Sequence, residues 1–372
     1  MKSARIVKPK ESLEVQDIKI PKPKGSQVLV KVLSAGVCHS DIHLWEGGYE
    51  GPEGQFLKTT DRGVVYPLTP GHEIAGTVED LGEDVLSTSS VGNEVIRKNE
   101  KVMVYPWIGE GVCPACRSGE ENLCDTPRSL GIYDDGGYAE YVLVPHYKYL
   151  VKINTRNDNF DDSNNSSLNF DTDIAATLPC SALTAYGAVK NATLKPSDNV
   201  VIVGAGGLGL MAIQLAKAVT GAKVIAMDLD DNKLTAAKQN GADLVINSRN
   251  DDPVKIVKEM TDKLGADAVI DFVNSTKSTE TDIQLLRRRA RLVFVGLFGG
   301  ELKLNLVTMP TRAYRLIGSY TGTLNDLIEL VSLARRGIIR PIVSNRFKLN
   351  QATEALQMLK DGKIIGRGVI NP

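Results

Sequence analysis

The sequence is poor in cysteine: five stand among 372 residues. So few in so long a chain make a poor disulfide framework, and the odd count argues further against one. Charge of one sign is also missing. Lys and Arg number 44 against 45 Asp and Glu, a formal net charge of −1, so the chain lacks the broad positive field that nucleic acid or an anionic membrane would need. No apolar run is long enough to span a bilayer. The longest charge-free apolar stretch, 200–216, falls short of the roughly 20 residues required and carries four glycines. A buried strand running into a buried helix accounts for it better. Segment 1–15 has no apolar core of signal-peptide length, so a cytoplasmic, reducing setting is the expectation. There is no internal repeat.

What is there suffices for two domains of roughly 100–200 residues each, and 42% hydrophobic content lets each bury a core. The first 150 residues read as β-rich, with short Val- and Tyr-containing segments at 27–33, 74–78, 101–104 and 138–144. The stretch 155–173, dense in Asn, Asp and Ser, reads as an exposed loop. After Pro179 the character changes. Apolar runs at 200–203, 223–227, 243–246, 268–272 and 291–295 alternate with amphipathic stretches such as 209–219 and 232–240. That alternation predicts an α/β doubly wound parallel sheet with right-handed crossovers. Segments 324–336 and 350–361 read as helices.

Gly204-Ala205-Gly206-Gly207-Leu208-Gly209 satisfies G-x-G-x-x-G, a weak signal alone. Its setting strengthens it. A strand precedes it, a helix follows, and the next strand ends at Asp228, 19 residues beyond Gly209. Gly204 permits the tight turn, Gly206 lets a pyrophosphate approach the backbone, and Gly209 lets the helix pack on the sheet. The helix start, Gly207 and Leu208 included, offers N–H groups to phosphates. Asp228 would accept the adenosine ribose hydroxyls and repel a 2′-phosphate, which favours NAD over NADP; Lys233 is placed to reach the same ribose.

Two constellations suggest metal. Glu110, Cys113, Cys116 and Cys124 form E-x2-C-x2-C-x7-C, four ligands that close a tetrahedron and therefore stabilise without catalysing. The carboxylate, harder than thiolate, is the most labile of the four. The other cysteines, Cys38 and Cys180, are far apart, with His72 between them. Two thiolates and an imidazole leave a fourth position open, the pattern of catalytic zinc already known from alcohol dehydrogenase. By spacing alone this second set is weak; it gains from accounting for every remaining cysteine.

Together, GVCHSDIH (36–43), GHEIAGTVEDLGEDV (71–85), the cysteine lobe (109–128), GGYAEYVLVP (136–145), LPCSALTAYGA (178–188), VIVGAGGLG (201–209) and the closing GRGVINP resemble the zinc-dependent medium-chain alcohol dehydrogenases, most of all their archaeal NAD-dependent branch. The resemblance runs over nearly the whole chain. It implies a Rossmann coenzyme domain over 182–322 and a β-rich GroES-like catalytic domain over 1–181 and 323–372. It further implies reversible oxidation of primary or secondary alcohols with NAD, two zinc ions per chain, and a homo-oligomer, tetrameric rather than dimeric.

Residue by residue, the resemblance implies that Cys38, His72 and Cys180 ligate catalytic zinc, with Glu73 as a possible fourth ligand. Asp41 would orient His72. Ser40 would take the alcohol proton and pass it to His43 through the nicotinamide ribose. His39 and Arg367 would contact the pyrophosphate, Thr184 would lie beside the nicotinamide, and Leu297 and Trp107 would line the substrate pocket. Plainer readings stand beside these: Ser40 and Asp41 as a helix cap, His43 as a surface histidine, Trp107 as core, Arg367 as a solvated charge. His146 has no assigned role. Most relatives carry Cys where Glu110 stands and Arg where His39 stands, and segments 86–100 and 155–173 are longer than expected. Rival activities are a zinc-dependent polyol or amino-alcohol dehydrogenase, or a zinc-free quinone or enone reductase.

Overall fold

The structure, a computed structural model, describes residues 1–85, 90–91, 94–153 and 171–372. Nearly all of the expected loop at 155–173 and part of the segment 86–100 lie outside the described residues. The chain divides into two compact units: Met1–Gly47, Thr59–Ser181 and Thr323–Pro372 form one, Gly48–Lys58 and Ala182–Gly322 the other.

The first unit is organised by the strand Val28–Val37, whose ten residues are almost wholly buried. A strand buried at all but Lys31 and Leu33 needs partners on both edges. Glu73–Leu81 runs antiparallel along one edge, from Val28 opposite Leu81 to Gly36 opposite Glu73, with two register shifts. The other edge is shared by Tyr141–Val144 and Arg367–Asn371. Lys101–Val104, Leu150–Lys152 and Val343–Lys348 complete a seven-stranded sheet. Strand Tyr141–Val144 starts later than expected. Residues 136–138 instead donate their N–H groups to the carbonyls of Thr69, Gly71 and Pro70. Helix Leu324–Arg335 starts at a Thr323 cap, with Asp326 returning the bond to the Thr323 N–H.

The second unit is a six-stranded parallel sheet. Its order is Leu244–Asn247, Lys223–Asp228, Asn199–Val203, Ala266–Asp271, Leu286–Phe294 and Arg315–Gly318. Numbered along the chain this is 3-2-1-4-5-6, the Rossmann order, with the reversal point beside the first strand. Val201, Ile225, Val269 and Leu292 are fully buried in the core between sheet and helices, as strands covered on both faces require. The sixth strand escapes the sequence reading because its alternation is weak: an edge strand, it is mostly exposed. The segment Gly48–Lys58, which the sequence reading assigns to the GroES-like part, groups with this unit instead. It forms an antiparallel hairpin, and Gly299 approaches it so closely that an added Cβ would stand 2.2 Å from the Glu50 carbonyl oxygen.

Candidate functional site

Four side chains from three separate segments meet in the first unit. Cys38 follows the central strand and caps the helix His39–Glu46; His72 immediately precedes the paired strand, which Glu73 begins. Cys180 lies in a π-helical turn, Leu178–Ala182, joining Thr172–Thr177 to Leu183–Ala192, where Pro179 cannot donate to an α-helical ladder. All four are buried, and one donor atom from each lies within 4.8 Å of the others. Glu73 enters because the residue opposite it is Gly36. A Cβ there would come within 2.1 Å of the Glu73 carboxylate.

The thiol sulfurs of Cys38 and Cys180 are 3.9 Å apart. That is nearly twice a disulfide bond and matches the ~3.8 Å that two Zn–S bonds of about 2.3 Å span in a tetrahedron. Nε2 of His72 is buried and has no hydrogen-bond partner among the described residues, a cost a metal bond would remove. Protons distribute as expected for donors sharing one buried site. A hydrogen bond from Cys180 holds the Cys38 thiol well below its ordinary range, with Arg367 and His72 assisting. Cys180 moves up in response. Burial pushes Glu73 up to about 7, against the pull of Arg367. Burial also opposes charge on His72, but Asp41 and Cys38 together lift it well above its usual value. The donor set fits a divalent ion that accepts sulfur and nitrogen.

Around this set, Oδ1 of Asp41 lies 3.2 Å from Nδ1 of His72. Ser40 Oγ lies 4.0 Å from Cys38 Sγ, with His43 one turn further on, half-buried on the same helix; His39 is exposed at its start. Trp107 is buried. Its Nε1 donates to the Pro179 carbonyl at 2.9 Å, and its ring centroid is 5.4 Å from that of His72. It therefore packs the ligand set. Arg367, read from sequence as a pyrophosphate contact or a solvated charge, is neither exposed nor solvated. It is buried with its Nη2 3.1 Å from Glu73, because a buried carboxylate needs a counter-charge.

The cysteine lobe brings together Cys113, Cys116 and Cys124. Cys113 and Cys124 have sulfurs 3.7 Å apart, again close to a shared tetrahedral ion. Cys113 caps the short helix Pro114–Arg117, its sulfur accepting the Cys116 N–H, and that bond lowers its thiol; burial pushes Cys116 up to about 11. Glu110 does not join the three. Its side chain is exposed, and its contact is a backbone N–H given to Cys124 Sγ at 3.4 Å. Spacing placed Glu110 near the lobe but could not fix which way the carboxylate points. Sequence reasoning also missed Glu121, which accepts from Lys148 at 2.6 Å, from Tyr149, and from the Gly109 N–H, pinning the lobe to the sheet.

In the second unit the glycine turn stands at the reversal point of the sheet. Gly204 has φ +88°, and an added Cβ at Gly209 would come within 1.8 Å of the Gly204 carbonyl oxygen. At Gly206, which caps the helix Gly207–Leu215, a Cβ would meet nothing within 4 Å. The open space at Gly206 and the helix start without a side-chain cap suit a phosphate. Asp228 ends the second strand. Its carboxylate accepts from the Ala205 N–H at 2.7 Å and from its own following turn, fixing the loop while keeping further lone pairs. Leu208 and Lys233 are half-buried on the first turns of their helices. Thr184 is buried in Leu183–Ala192, and Leu297 is 44% exposed.

Residues 24–155 match the family described as "Alcohol dehydrogenase GroES-like domain", and residues 207–336 match "Zinc-binding dehydrogenase". The chain is 45% identical over its whole length and that of a protein named "NAD-dependent alcohol dehydrogenase" from Sulfurisphaera tokodaii. It is 42% identical, again over both full lengths, to one of the same name from Saccharolobus solfataricus. The crystal structure of the alcohol dehydrogenase from Aeropyrum pernix superposes with a TM-score of 0.86 at 34% identity, covering both chains completely. Two matched domains, full-length relatives and a thiolate–imidazole cluster of metal-binding dimensions agree: the chain belongs to the zinc-dependent medium-chain alcohol dehydrogenase family.

Proposed function

We propose that this enzyme oxidises primary and secondary alcohols reversibly to aldehydes and ketones with NAD, using Cys38, His72 and Cys180 to hold the reactive metal. The 3.9 Å approach of the two thiols beside a partnerless His72 Nε2 carries this reading. When bound, zinc supplies Lewis acidity toward the alcohol oxygen and NAD accepts the hydride. The chain's own residues do the rest. Asp41 orients the His72 ring. Glu73, in reach of the same position, serves as an exchangeable fourth ligand. Ser40, beside Cys38, receives the alcohol proton, and His43, on the same helical face, carries it toward solvent. The glycine turn and Asp228 bind the dinucleotide. A zinc-free reductase of the same superfamily would leave this buried donor set without use.

The reading extends to a second ion on the three lobe thiolates, to a cytoplasmic homotetramer, and to small alcohol substrates. Among the described residues no helix is long and apolar enough to cross a membrane. Cys38→Ala tests the central claim. It should lower turnover by about 10³-fold, the loss of roughly 4 kcal/mol of transition-state stabilisation, and remove one metal equivalent while NAD still binds. Unchanged initial rates across a panel of alcohols would overturn the reading.

A further inference from the structure

Asp41 is fully buried, so each of its carboxylate oxygens needs donors that do not leave. Oδ1 accepts the Gly71 N–H at 3.1 Å and faces His72. Oδ2 accepts the Cys38 N–H at 2.9 Å and the hydroxyl of Tyr138 at 3.1 Å. The two backbone donors come from the same segments that carry the metal ligands. The torsion that turns a carboxylate about its Cβ–Cγ bond is soft, so every donor on its two oxygens contributes to holding its plane. Tyr138 supplies the remaining restraint, from a third segment.

Tyr138 is itself held in place. Gly136, Gly137 and Tyr138 donate their backbone N–H groups to Thr69, Gly71 and Pro70 at 2.8, 2.7 and 3.0 Å. That zips the tyrosine segment onto the loop leading into His72. The ring lies so close to Gly71 that a Cβ on that residue would stand 2.3 Å from it. The side chain is fully buried, and its hydroxyl has Asp41 as its short partner, with the Gly36 carbonyl at 3.5 Å. A ring that only filled space would serve as well without the oxygen.

We propose that Tyr138 is a positioning residue for the metal-binding imidazole: its hydroxyl fixes the plane of Asp41, and Asp41 fixes His72. This rests on the reading that Cys38, His72 and Cys180 hold a metal ion. Outer partners of a metal-bound histidine commonly govern 10- to 100-fold in metal affinity, and one hydrogen bond further out should govern about tenfold.

The test titrates metal-free protein with Co²⁺ against a competing chelator, following the thiolate-to-cobalt absorption. Cys38→Ala identifies the equivalent bound at the buried set. Tyr138→Phe should weaken that equivalent about tenfold and leave the lobe equivalent unchanged. In an Asp41→Asn background the same substitution should cost nothing further, since Tyr138 acts through the carboxylate. Wild-type affinity in Tyr138→Phe overturns the proposal, as does an equal loss with and without Asp41. If Tyr138→Phe fails to fold, Asp41→Asn alone must show the weakened site, and wild-type affinity there also overturns it. If Cys38→Ala keeps every cobalt equivalent, the metal reading itself fails, an outcome separable from the others.

Discussion

Nη2 of Arg367 lies 3.1 Å from Oε1 of Glu73, with both side chains buried, and the same guanidinium stands 3.9 Å from the sulfur of Cys38. A residue in the last strand, Arg367–Asn371, thus balances the charge of the buried donors. Without it Glu73 would lose the strongest of the charges that favour its ionised form. Arg367→Met should therefore cost about 3–5 kcal/mol, the usual penalty for removing one partner of a buried pair. Glu73→Gln added to it should recover part of that loss, because the stranded charge disappears. Urea unfolding of the three variants measures both effects, and additive losses would contradict the pairing.

The glycines of the dinucleotide turn separate fold from binding. A methyl at Gly209 would meet the Gly204 carbonyl oxygen at 1.8 Å, so Gly209→Ala should lower stability by about 1–3 kcal/mol. At Gly206 the space is open. Gly206→Ala should keep the melting temperature of the free enzyme and weaken NAD, which needs that space. Melting curves with and without NAD distinguish the two variants.

Asp282 is buried in helix Thr276–Leu285, and neither carboxylate oxygen has a hydrogen-bond donor among the described residues. Burial first, and the neighbouring Asp271 second, hold its carboxyl well above the usual range. The folded state thus binds this proton more tightly than the unfolded chain, whose Asp titrates near about 3.9. The stability contributed is complete below that value and falls as pH rises through the raised folded one. Asp282→Asn keeps the shape without the titration. It should be more stable than the parent near neutral pH by about 1–3 kcal/mol, with the gap narrowing on acidification. Parallel stability curves for the two proteins would refute this.

Glu110 lies outside the thiolate cluster of the lobe. Glu110→Gln should therefore stay within about 0.5 kcal/mol of the parent, as exposed substitutions do. It should also retain metal as the parent does during dialysis against chelator, whereas Cys116→Ala should release the lobe ion. Faster loss of that ion from Glu110→Gln would restore the carboxylate as a ligand.

Legibility in the sequence followed sequence distance. The turn 204–209 with Asp228, and the cysteines of the lobe, were legible because their partners are close along the chain and local backbone geometry sets their relation. Strand Arg315–Gly318 was not, since an exposed edge strand carries little alternation to read. Arg367 was read as a pyrophosphate contact or a solvated charge and Trp107 as a pocket residue or core; the structure buries Arg367 beside Glu73 and Trp107 beside His72. Neither contact has a local signature.

Residues close along the chain already fixed that a strand, a glycine turn and a helix would follow one another at 199–215, and that three sulfurs would lie within one short loop. Covalent connection over a few residues leaves the backbone little freedom to do otherwise. Only the packed fold settled that Cys38 and Cys180, 142 residues apart, would stand 3.9 Å from each other, that Glu110 would lie exposed outside the thiolate cluster, and that Tyr138 would reach Asp41. Those distances follow from sheet register and from close approach at Gly36 and Gly71. These are relations between segments that meet only once the core has packed, because burial, not chain proximity, brings them together.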